Sequence, residues 1–269
     1  MTHAVTQKLE SCTYVRCLIV DYSKAFDTIN HAILLRKILT LSIPFRVKRF
    51  IFHFLTSCSQ AVHSLGRMPG WLLVTRSPGF WHWSVPLPCL FNGPKTVSNF
   101  SKLVKYADDT SLLVPQYSSV SLEDEYQNLL HWSTVNKLKI NSDKTKEIVF
   151  RRPGARNFIS PASLPGIEQI ISVKLLGIHL TATLFAAVHV EHIPSLANQR
   201  LRLLGLLKYQ GLSPEALHQI FTSIVQSVIT YALPSFANQL SKNDKSRIKP
   251  SSIKLSNAAC VTHSSTLTT

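Results

Sequence analysis

The sequence predicts an α+β fold followed by a helical segment. Up to about residue 185, short apolar runs typical of buried strands alternate with segments in which apolar residues recur at helical spacing. From about residue 186, only the helical spacing continues. Because 45% of the 269 residues are hydrophobic, the chain can bury a core, and its length fits one large domain or two small ones.

The first predicted elements are a strand and two helices. The apolar run at residues 17–20 predicts a buried strand that delivers Asp21 at its end. Residues 28–40 show helical spacing, with Thr28 or Asn30 as the N-cap. The stretch "FRVKRFIFHFL" predicts a second helix with basic residues on its polar side.

The middle of the chain begins with a stretch that predicts no secondary structure, and predicted strands and a helix follow it. Residues 66–99 are rich in Trp and Pro and show neither helical nor strand periodicity. "LVKY" and "TSLLV" flank Asp108 and Asp109 as the arms of a hairpin. "SLEDEYQNLLHWSTVN" predicts a helix capped by Ser121, with acids at 123–125 near its positive end. "KLKI", "KEIVF" and "KLLGIHL" predict three further strands.

The last third of the chain predicts helices and a tail. Ser213 as N-cap and Pro214 at the first helical position mark a helix start. We therefore expect a first domain over residues 1–185, a helical domain over 186–248 and a disordered Ser/Thr-rich tail over 249–269.

The charge of the chain is strongly unbalanced. Lys and Arg number 29 against 14 Asp and Glu, which gives a net charge of +15 at pH 7. This excess favours a nucleic-acid partner over a membrane surface, although a solvated basic surface without a partner would have the same composition. No apolar run reaches membrane-spanning length and no signal-peptide core is present, so we expect an intracellular protein of the nucleus or cytoplasm.

Neither the cysteines nor the histidines predict a metal site. The five cysteines are odd in number and irregularly spaced, which fits a reducing compartment. His179, His189 and His192 lie in mixed apolar segments, where histidines are more often structural than metal ligands.

Three aspartates carry the chemistry that the sequence predicts. If the strands that end at Asp21 and begin after Asp108 and Asp109 are neighbours, three carboxylates converge, and they cannot all ionise without a counter-charge. Oxygen ligands select Mg²⁺, and two such ions activate a 3′-hydroxyl and stabilise a leaving pyrophosphate. The alternative is that the Asp pair marks a polar turn.

Four motifs in order resemble one family of polymerases. "LIVDYSKAFDTINH", "VKYADDTSLLV", "NKLKINSDKTKEIVF" and "SVKLLGIHL" are similar to motifs of non-LTR (LINE-type) retrotransposon reverse transcriptases. "YQGLSPEALHQIFTSIVQSVITYALPSF" is similar to their helical thumb. The resemblance covers residues 10–248 and implies a polymerase palm, an antiparallel sheet with packed helices, followed by a small helical thumb. It further implies an RNA-directed DNA polymerase that acts on an RNA template, a DNA primer and deoxynucleotides.

The resemblance also implies roles for individual residues. Asp21 and Asp108 would ligate both Mg²⁺ ions, with the carbonyl of Tyr22 as a backbone ligand, and Asp109 would complete the acidic pair. Phe26 would lie beneath the incoming sugar and exclude a 2′-hydroxyl, although a core aromatic would look the same in sequence.

Three polar residues match the family with secondary roles. Lys144 stands where the family has a lysine that protonates the departing pyrophosphate, and a structural salt bridge is the alternative. Asp27 and His31 match positions that orient the helix rather than catalyse.

Two departures from the family pattern predict a remnant without activity. Only about 20 residues precede Asp21, so we expect an N-terminally truncated chain whose fingers are largely missing. Residues 75–91, "TRSPGFWHWSVPLPCLF", match the family pattern R-G-(I/V)-P-Q-G-S-x-x-G-P-x-L-F at their ends but not in the middle. Bulky indoles there would block a pocket in which backbone approaches a nucleotide.

The altered segment has two explanations in the sequence. One is a pair of compensating frame shifts, since Trp codons read one base later give glycines; the other is a genuine Trp-rich insertion. The alternatives to a polymerase are a non-catalytic remnant that binds nucleic acid and an open reading frame without selected function.

Overall fold

The computed structural model describes residues 1–25, 28–57, 60–63, 71–75, 93–154, 158–185, 187–231, 233–237, 240 and 242–248. The predictions made for Phe26, Asp27, the 249–269 tail and most of the 66–99 stretch lie outside these residues. The chain forms two compact units. The boundary expected near residue 185 stays a prediction.

The first unit comprises Met1, Lys8–Val149 and Asn157–Ile170. Helix α1 (Thr2–Leu9) is divided between the units: Thr2–Gln7 belong to the second unit, and the last two residues of the helix belong to the first unit. Its elements follow in this order: β1 Tyr14–Val20, α2 His31–Thr40, α3 Phe45–Ser57, β2 Gln60–His63, β3 Trp71–Thr75, β4 Lys102–Tyr106, β5 Asp109–Pro115, α4 Leu122–Val135, β6 Lys146–Arg151 (whose last two residues belong to the second unit) and β7 Glu168–Ile170.

The main sheet of the described residues has five strands in the order β4-β5-β1-β6-β7. β5 pairs antiparallel with both β4 and β1, whereas β6 and β7 are parallel. The helices bury their apolar stripes in the same core as β1 and β5 because apolar residues recur on one helix face. This core includes Leu18, Val20, Leu34, Ile38, Leu112 and Leu129.

Local capping signals are confirmed in the structure. The Oδ1 of Asn30, rather than the Thr28 hydroxyl, accepts the hydrogen bond from the Ile33 amide at the start of α2. Ser121 accepts from the Asp124 amide at the start of α4. These caps satisfy backbone donors that a helix leaves free in its first turn.

A buried acid of α4 holds the segment that leads into β4. Glu125 is 1% exposed and its two oxygens accept hydrogen bonds from the amides of Val97 and Ser98, at 2.9 and 2.8 Å. The sequence predicts Glu125 only as a helix-start acid, whereas the structure uses it to fix the loop before the Asp108–Asp109 hairpin.

A second buried acid forms an ion pair across the sheet. Glu147 on β6 is fully buried, and its Oε1 lies 2.7 Å from the Nε of Arg16 on β1. The guanidinium also donates to the Ala162 carbonyl, and the other Glu147 oxygen accepts from the Leu164 amide. The pair therefore ties β1, β6 and the segment before β7 together.

The second unit comprises Thr2–Gln7, Phe150–Arg156 and Ile171–Thr269. Its elements among the described residues are a strand pair and a series of helices: β8 Ser172–Leu175, β9 Ile178–Thr181, α5 Ala187–Tyr209, α6 Pro214–Ile220, a π-helical stretch Phe221–Gln226, α7 Ser227–Thr230, α8 Leu233–Phe236 and α9 Lys242–Ile248. Ser213 caps α6 through the Ala216 amide, as predicted. A core formed by the helices includes Val190, Ile193, Leu217 and Phe236.

The predicted α+β class is confirmed, with three corrections to individual elements. "KLKI" is not a strand: among the described residues it contributes a single bridge, between Ile140 and Tyr22, because the chain turns at Lys137 with a φ of 55°. Trp71–Thr75 is a strand in a stretch where the sequence shows no strand periodicity. Its run of β-forming residues is continuous rather than alternating.

The third correction concerns "KLLGIHL", which is a hairpin rather than one strand. Leu175 pairs with Ile178, and the two residues between them have φ of 46° (Leu176) and 79° (Gly177). Two successive left-handed residues form the type I′ turn that suits the strand twist. Among the described residues, no helix is both long and apolar enough to cross a bilayer.

Removing one partner of the buried ion pair should destabilise the chain strongly. Arg16→Met leaves the Glu147 carboxylate buried without its cation, which costs about 3–5 kcal/mol of unfolding free energy. The double variant Arg16→Met/Glu147→Gln should recover most of this loss, as measured by urea denaturation. A single variant within about 1 kcal/mol of wild type would contradict the role given to the pair.

Stability should fall at alkaline pH because two buried groups retain their protons in the folded state. Burial raises the pKa of the Cys17 thiol to about 12, and Glu147 adds to the effect. Burial likewise raises the pKa of Tyr22 to about 12, opposed by a hydrogen bond with Thr110. The unfolded chain ionises first, so the stability that each group contributes should be constant below its ordinary pKa, 9.0 for Cys17 and 10.0 for Tyr22, and then decline by about 1.4 kcal/mol per pH unit.

Urea unfolding between pH 8 and pH 11 measures this decline. Cys17→Ala should remove the part that begins near pH 9, whereas Cys12→Ala, at the half-buried cysteine, should keep it. Equal slopes in the two variants would contradict the assignment to Cys17.

Candidate functional site

Backbone pairing brings two of the predicted acids to the same end of the sheet. The ladder between β1 and β5 runs from Val15 opposite Pro115 to Val20 opposite Thr110. Asp21 and Asp109 each lie one residue beyond this last pair. They are close enough for the charge of Asp21 to act on Asp109.

Asp108 occupies the turn beside this pair. Tyr106 pairs with Asp109, so Ala107 and Asp108 form a two-residue hairpin turn. Ala107 has a φ of 52°, a left-handed conformation that is costly for a residue with a Cβ. The turn gathers Asp108 and Asp109 at the end of the sheet where Asp21 emerges from β1.

The charges of the three acids act on one another. Asp21 and Asp108 are half-buried, and Asp109 is exposed as a residue although its carboxyl group is partly withdrawn from solvent. This desolvation, followed by the charges of Asp108 and then Asp21, raises the pKa of Asp109 above its ordinary value. The three carboxyl groups therefore do not readily ionise together, and a bound cation would offset the repulsion between their charges.

A buried threonine fixes the backbone of Asp21. Thr145, which is 0% exposed, accepts a hydrogen bond from the Asp21 amide at 3.3 Å and donates to the Asn141 carbonyl at 2.7 Å. The Asp21 carbonyl in turn accepts from the Asn141 amide at 2.8 Å. These bonds clamp Asp21 at the point where it leaves β1.

Tyr22 contributes its backbone to this region and its side chain to the core. The ring packs in the core of the first unit and is 5% exposed. Hydrogen bonds from Ser23 to Lys139 and from Asn141 to Asp21 flank the Tyr22–Ile140 bridge. Because carbonyl directions alternate along a strand, the Tyr22 carbonyl points away from Ile140 and toward the side of β5.

The other predicted residues have different positions. Lys144 is exposed in the turn before β6, next to Thr145, and within the described ranges its ammonium group forms no ion pair. His31 is the half-buried first residue of α2. Phe26 and Asp27 lie outside the described residues.

The donor chemistry of the acidic cluster fits a hard divalent cation, but the side chains do not form a closed metal cage. The available atoms are carboxylate and carbonyl oxygens, which Mg²⁺ prefers, and desolvation followed by like charges already raises the pKa of Asp109. In the part of the chain that the structure describes, however, no three His, Cys, Asp or Glu side chains are grouped as a metal site. Asp21, Asp108 and Asp109 would have to hold the ion after side-chain adjustment.

Thr145 and Asn141 are the site residues that sequence reasoning missed. Thr145 lies 124 residues from Asp21, and its role depends on β1 and β6 being neighbours. A threonine before a strand carries no local signal for such a contact, so only the tertiary structure reveals it.

Comparisons with known proteins find structural likeness only. No family model and no curated protein match the sequence. The apo telomerase of Candida tropicalis, truncated from its C-terminal domain, is 13% identical, with 68% of this chain and 37% of that chain covered at a TM-score of 0.41.

Two telomerase structures in complex with the TWJ fragment of telomeric RNA also match. That of Candida tropicalis is 12% identical over 90% of this chain and 41% of that chain, with a TM-score of 0.43. That of Candida albicans is 12% identical over 96% of this chain and 47% of that chain, with a TM-score of 0.44. This chain spans less than half of each telomerase chain. At these values the likeness establishes neither family membership nor an activity.

Removing the Thr145 hydroxyl should loosen the backbone around Asp21. Thr145→Val preserves the shape of the side chain but leaves the Asp21 amide and the Asn141 carbonyl without this partner, which costs about 1–3 kcal/mol. Thr145→Ser keeps the hydroxyl and is the matched control. Urea denaturation and amide hydrogen exchange at Asp21 measure the effect, and equal exchange rates in the two variants would argue against the clamp.

Proposed function

We propose that this chain is the reverse transcriptase domain of a non-LTR retrotransposon, a palm and thumb built for RNA-directed DNA synthesis, which persists as a remnant without polymerase activity. One observation supports the proposal above the others. Asp21 and Asp109 each lie one residue beyond the last pair of the β1–β5 ladder, Val20 with Thr110, and Asp109 closes the hairpin turn in the sequence Tyr106-Ala107-Asp108-Asp109. Two separate motifs of the resemblance thus meet at one sheet end.

Each residue near the hairpin tip has a role in this proposal. Asp21 and Asp108 would hold Mg²⁺ together with the carbonyl of Tyr22, and Asp109 would complete the acidic set of metal ligands. When bound, two such ions activate a primer 3′-hydroxyl and stabilise the leaving pyrophosphate. The exposed ammonium group of Lys144, which has no ion pair among the described residues, is available to give a proton to a departing phosphate.

The loss of polymerase activity rests on the sequence. Residues 75–91 replace the glutamine and glycine of the family pattern with bulky residues, including Trp81 and Trp83. A nucleotide pocket needs close backbone approach at such positions, which a large side chain prevents. We therefore assign the RNA template, the DNA primer and the deoxynucleotides to the active polymerase from which this chain descends, and not to polymerisation by the chain itself.

A second candidate function, nucleic-acid binding without catalysis, is favoured by the surface of α3. Phe45 and Phe50 are 75% and 70% exposed, and exposed Arg46 and Arg49 lie on the same helix. Aromatic rings interleaved with cations suit single-stranded nucleic acid, because bases stack on the rings while the cations contact phosphates. The net charge of +15 adds a sequence-independent attraction.

Magnesium binding and primer extension together test the proposed function. Millimolar Mg²⁺ should raise the melting temperature of the wild-type chain and lower the pKa of Asp109, as followed by NMR, because the cation offsets the neighbouring carboxylates. Asp108→Asn should abolish both effects. Asp124→Asn, which removes an equal charge at the start of α4, should leave them intact.

Extension of oligo(dT) on poly(rA) should not occur, whereas gel shifts should show binding that weakens steeply with salt. Extension that Asp108→Asn abolishes would contradict the loss of activity. A Mg²⁺ effect that is missing, or equal in Asp108→Asn, would contradict the acidic site. Failure to bind nucleic acid would argue against both candidate functions.

A further inference from the structure

The second unit contains a cavity with a cationic lining. The cavity measures about 370 Å³ and is lined by residues from β8, α5 and α7. Four nitrogen-bearing side chains face it, namely Lys174, His189, His192 and Arg200, and no carboxylate is among its described lining residues. Its size falls in the range of small-ligand sites, and a lining of one charge sign attracts the opposite charge.

His189 is the buried polar group at the wall of this cavity. It is 5% exposed, and both ring nitrogens are buried without a hydrogen-bond partner among the described residues. Its ring packs edge-on against Phe236, with ring centroids 4.8 Å apart. A buried polar group without a partner is destabilising, and because both nitrogens are closed off from solvent, a ligand in the cavity would reach one of them only after the ring rotates.

The groups that face His189 are cationic or become so on protonation. The ring of His179 lies 6.4 Å from that of His189 and 5.8 Å from that of His192, measured between centroids. Burial lowers the pKa of His189, and His179, His192 and Lys174 lower it further. A positive metal ion would share the cavity with Lys174 and Arg200, whereas an anion would relieve the repulsion.

The donors left for such an anion are nitrogens. The hydroxyl of Ser227 donates to the Ser223 carbonyl at 2.5 Å, and the hydroxyl of Tyr231 donates to the Leu176 carbonyl at 2.9 Å. Arg200 donates through one terminal nitrogen to the Ile224 carbonyl in the π-helical stretch, which fixes its orientation. The planar guanidinium carries further N–H groups that match oxygens of a tetrahedral oxyanion.

We propose that this cavity binds a tetrahedral oxyanion, either free phosphate or the phosphate of a small phosphomonoester. Arg200 and Lys174 supply positive charge, His192 supplies a ring N–H, and a rotation of the His189 ring would bring one of its buried nitrogens to an oxyanion oxygen. This site belongs to the second unit alone and is independent of the proposed polymerase ancestry.

Sulfate is the first probe, because its charge is constant between pH 5 and pH 8 and any pH dependence then belongs to the protein. Calorimetry on the full chain should show one sulfate per chain, with affinity about tenfold higher at pH 6 than at pH 8. The sign follows from His189, because burial and then nearby positive charge lower its pKa, whereas a bound anion would raise it. The ring resonances of His189 should shift on titration.

Variants of exposed lining residues locate the binding without threatening the core. Lys174→Met and His192→Gln should each weaken sulfate binding about tenfold, as loss of a charge-assisted contact does. Lys208→Met, an exposed lysine of α5 outside the cavity lining, removes the same charge as Lys174→Met and should leave the affinity within about twofold.

Phosphate, adenosine 5′-monophosphate and adenosine then identify the source of the anion. Equal affinity for phosphate and the monophosphate indicates a free-anion site, and tighter binding of the monophosphate indicates an ester site; both support the proposal. Adenosine binding as tightly as its monophosphate would overturn it. So would a lack of sulfate binding at 10 mM, unshifted His189 resonances, or an equal loss of affinity in Lys208→Met.

Discussion

The antiparallel ladder between β1 and β5 is the constraint on which the candidate site depends. Successive side chains of a strand alternate between faces, so a slip of one residue in β1 would exchange its buried and half-buried positions. Leu18 of β1 and Leu112 of β5 pair directly and are almost fully buried. Apolar burial therefore favours this register, and the register brings Asp21 and Asp109 to the same end of the sheet, one residue beyond the pair of Val20 with Thr110.

Buried polar side chains hold the loops around this ladder. Thr145 clamps Asp21, Glu125 holds the segment before β4, and Glu147 joins Arg16 to the segment before β7. Each of these three residues is at most 1% exposed, so a lost partner leaves a desolvated polar group and costs more than an exposed hydrogen bond would. The backbone around Asp21, Asp108 and Asp109 is thus held by hydrogen bonds and an ion pair between residues that are distant in sequence.

The two units carry opposite local charges. At the hairpin tip of the first unit, desolvation and then the charges of Asp108 and Asp21 raise the pKa of Asp109. In the cavity of the second unit, burial and then the charges of the neighbouring histidines and Lys174 lower the pKa of His189. A cation would be favoured at the hairpin tip and an anion in the cavity, although the chain as a whole is strongly basic.

The sequence by itself determined the features that arise within one turn or one hairpin. The N-caps at Ser121 and Ser213 and the hairpin around Asp108 follow from neighbouring residues, because capping and turn formation are local. Only the tertiary structure decided the roles of Thr145 and Glu125, the single bridge formed by "KLKI", and the buried nitrogens of His189, which have no hydrogen-bond partner among the described residues, since each depends on segments that meet across the fold. Burial and long-range backbone pairing, which a local pattern does not encode, set these contacts.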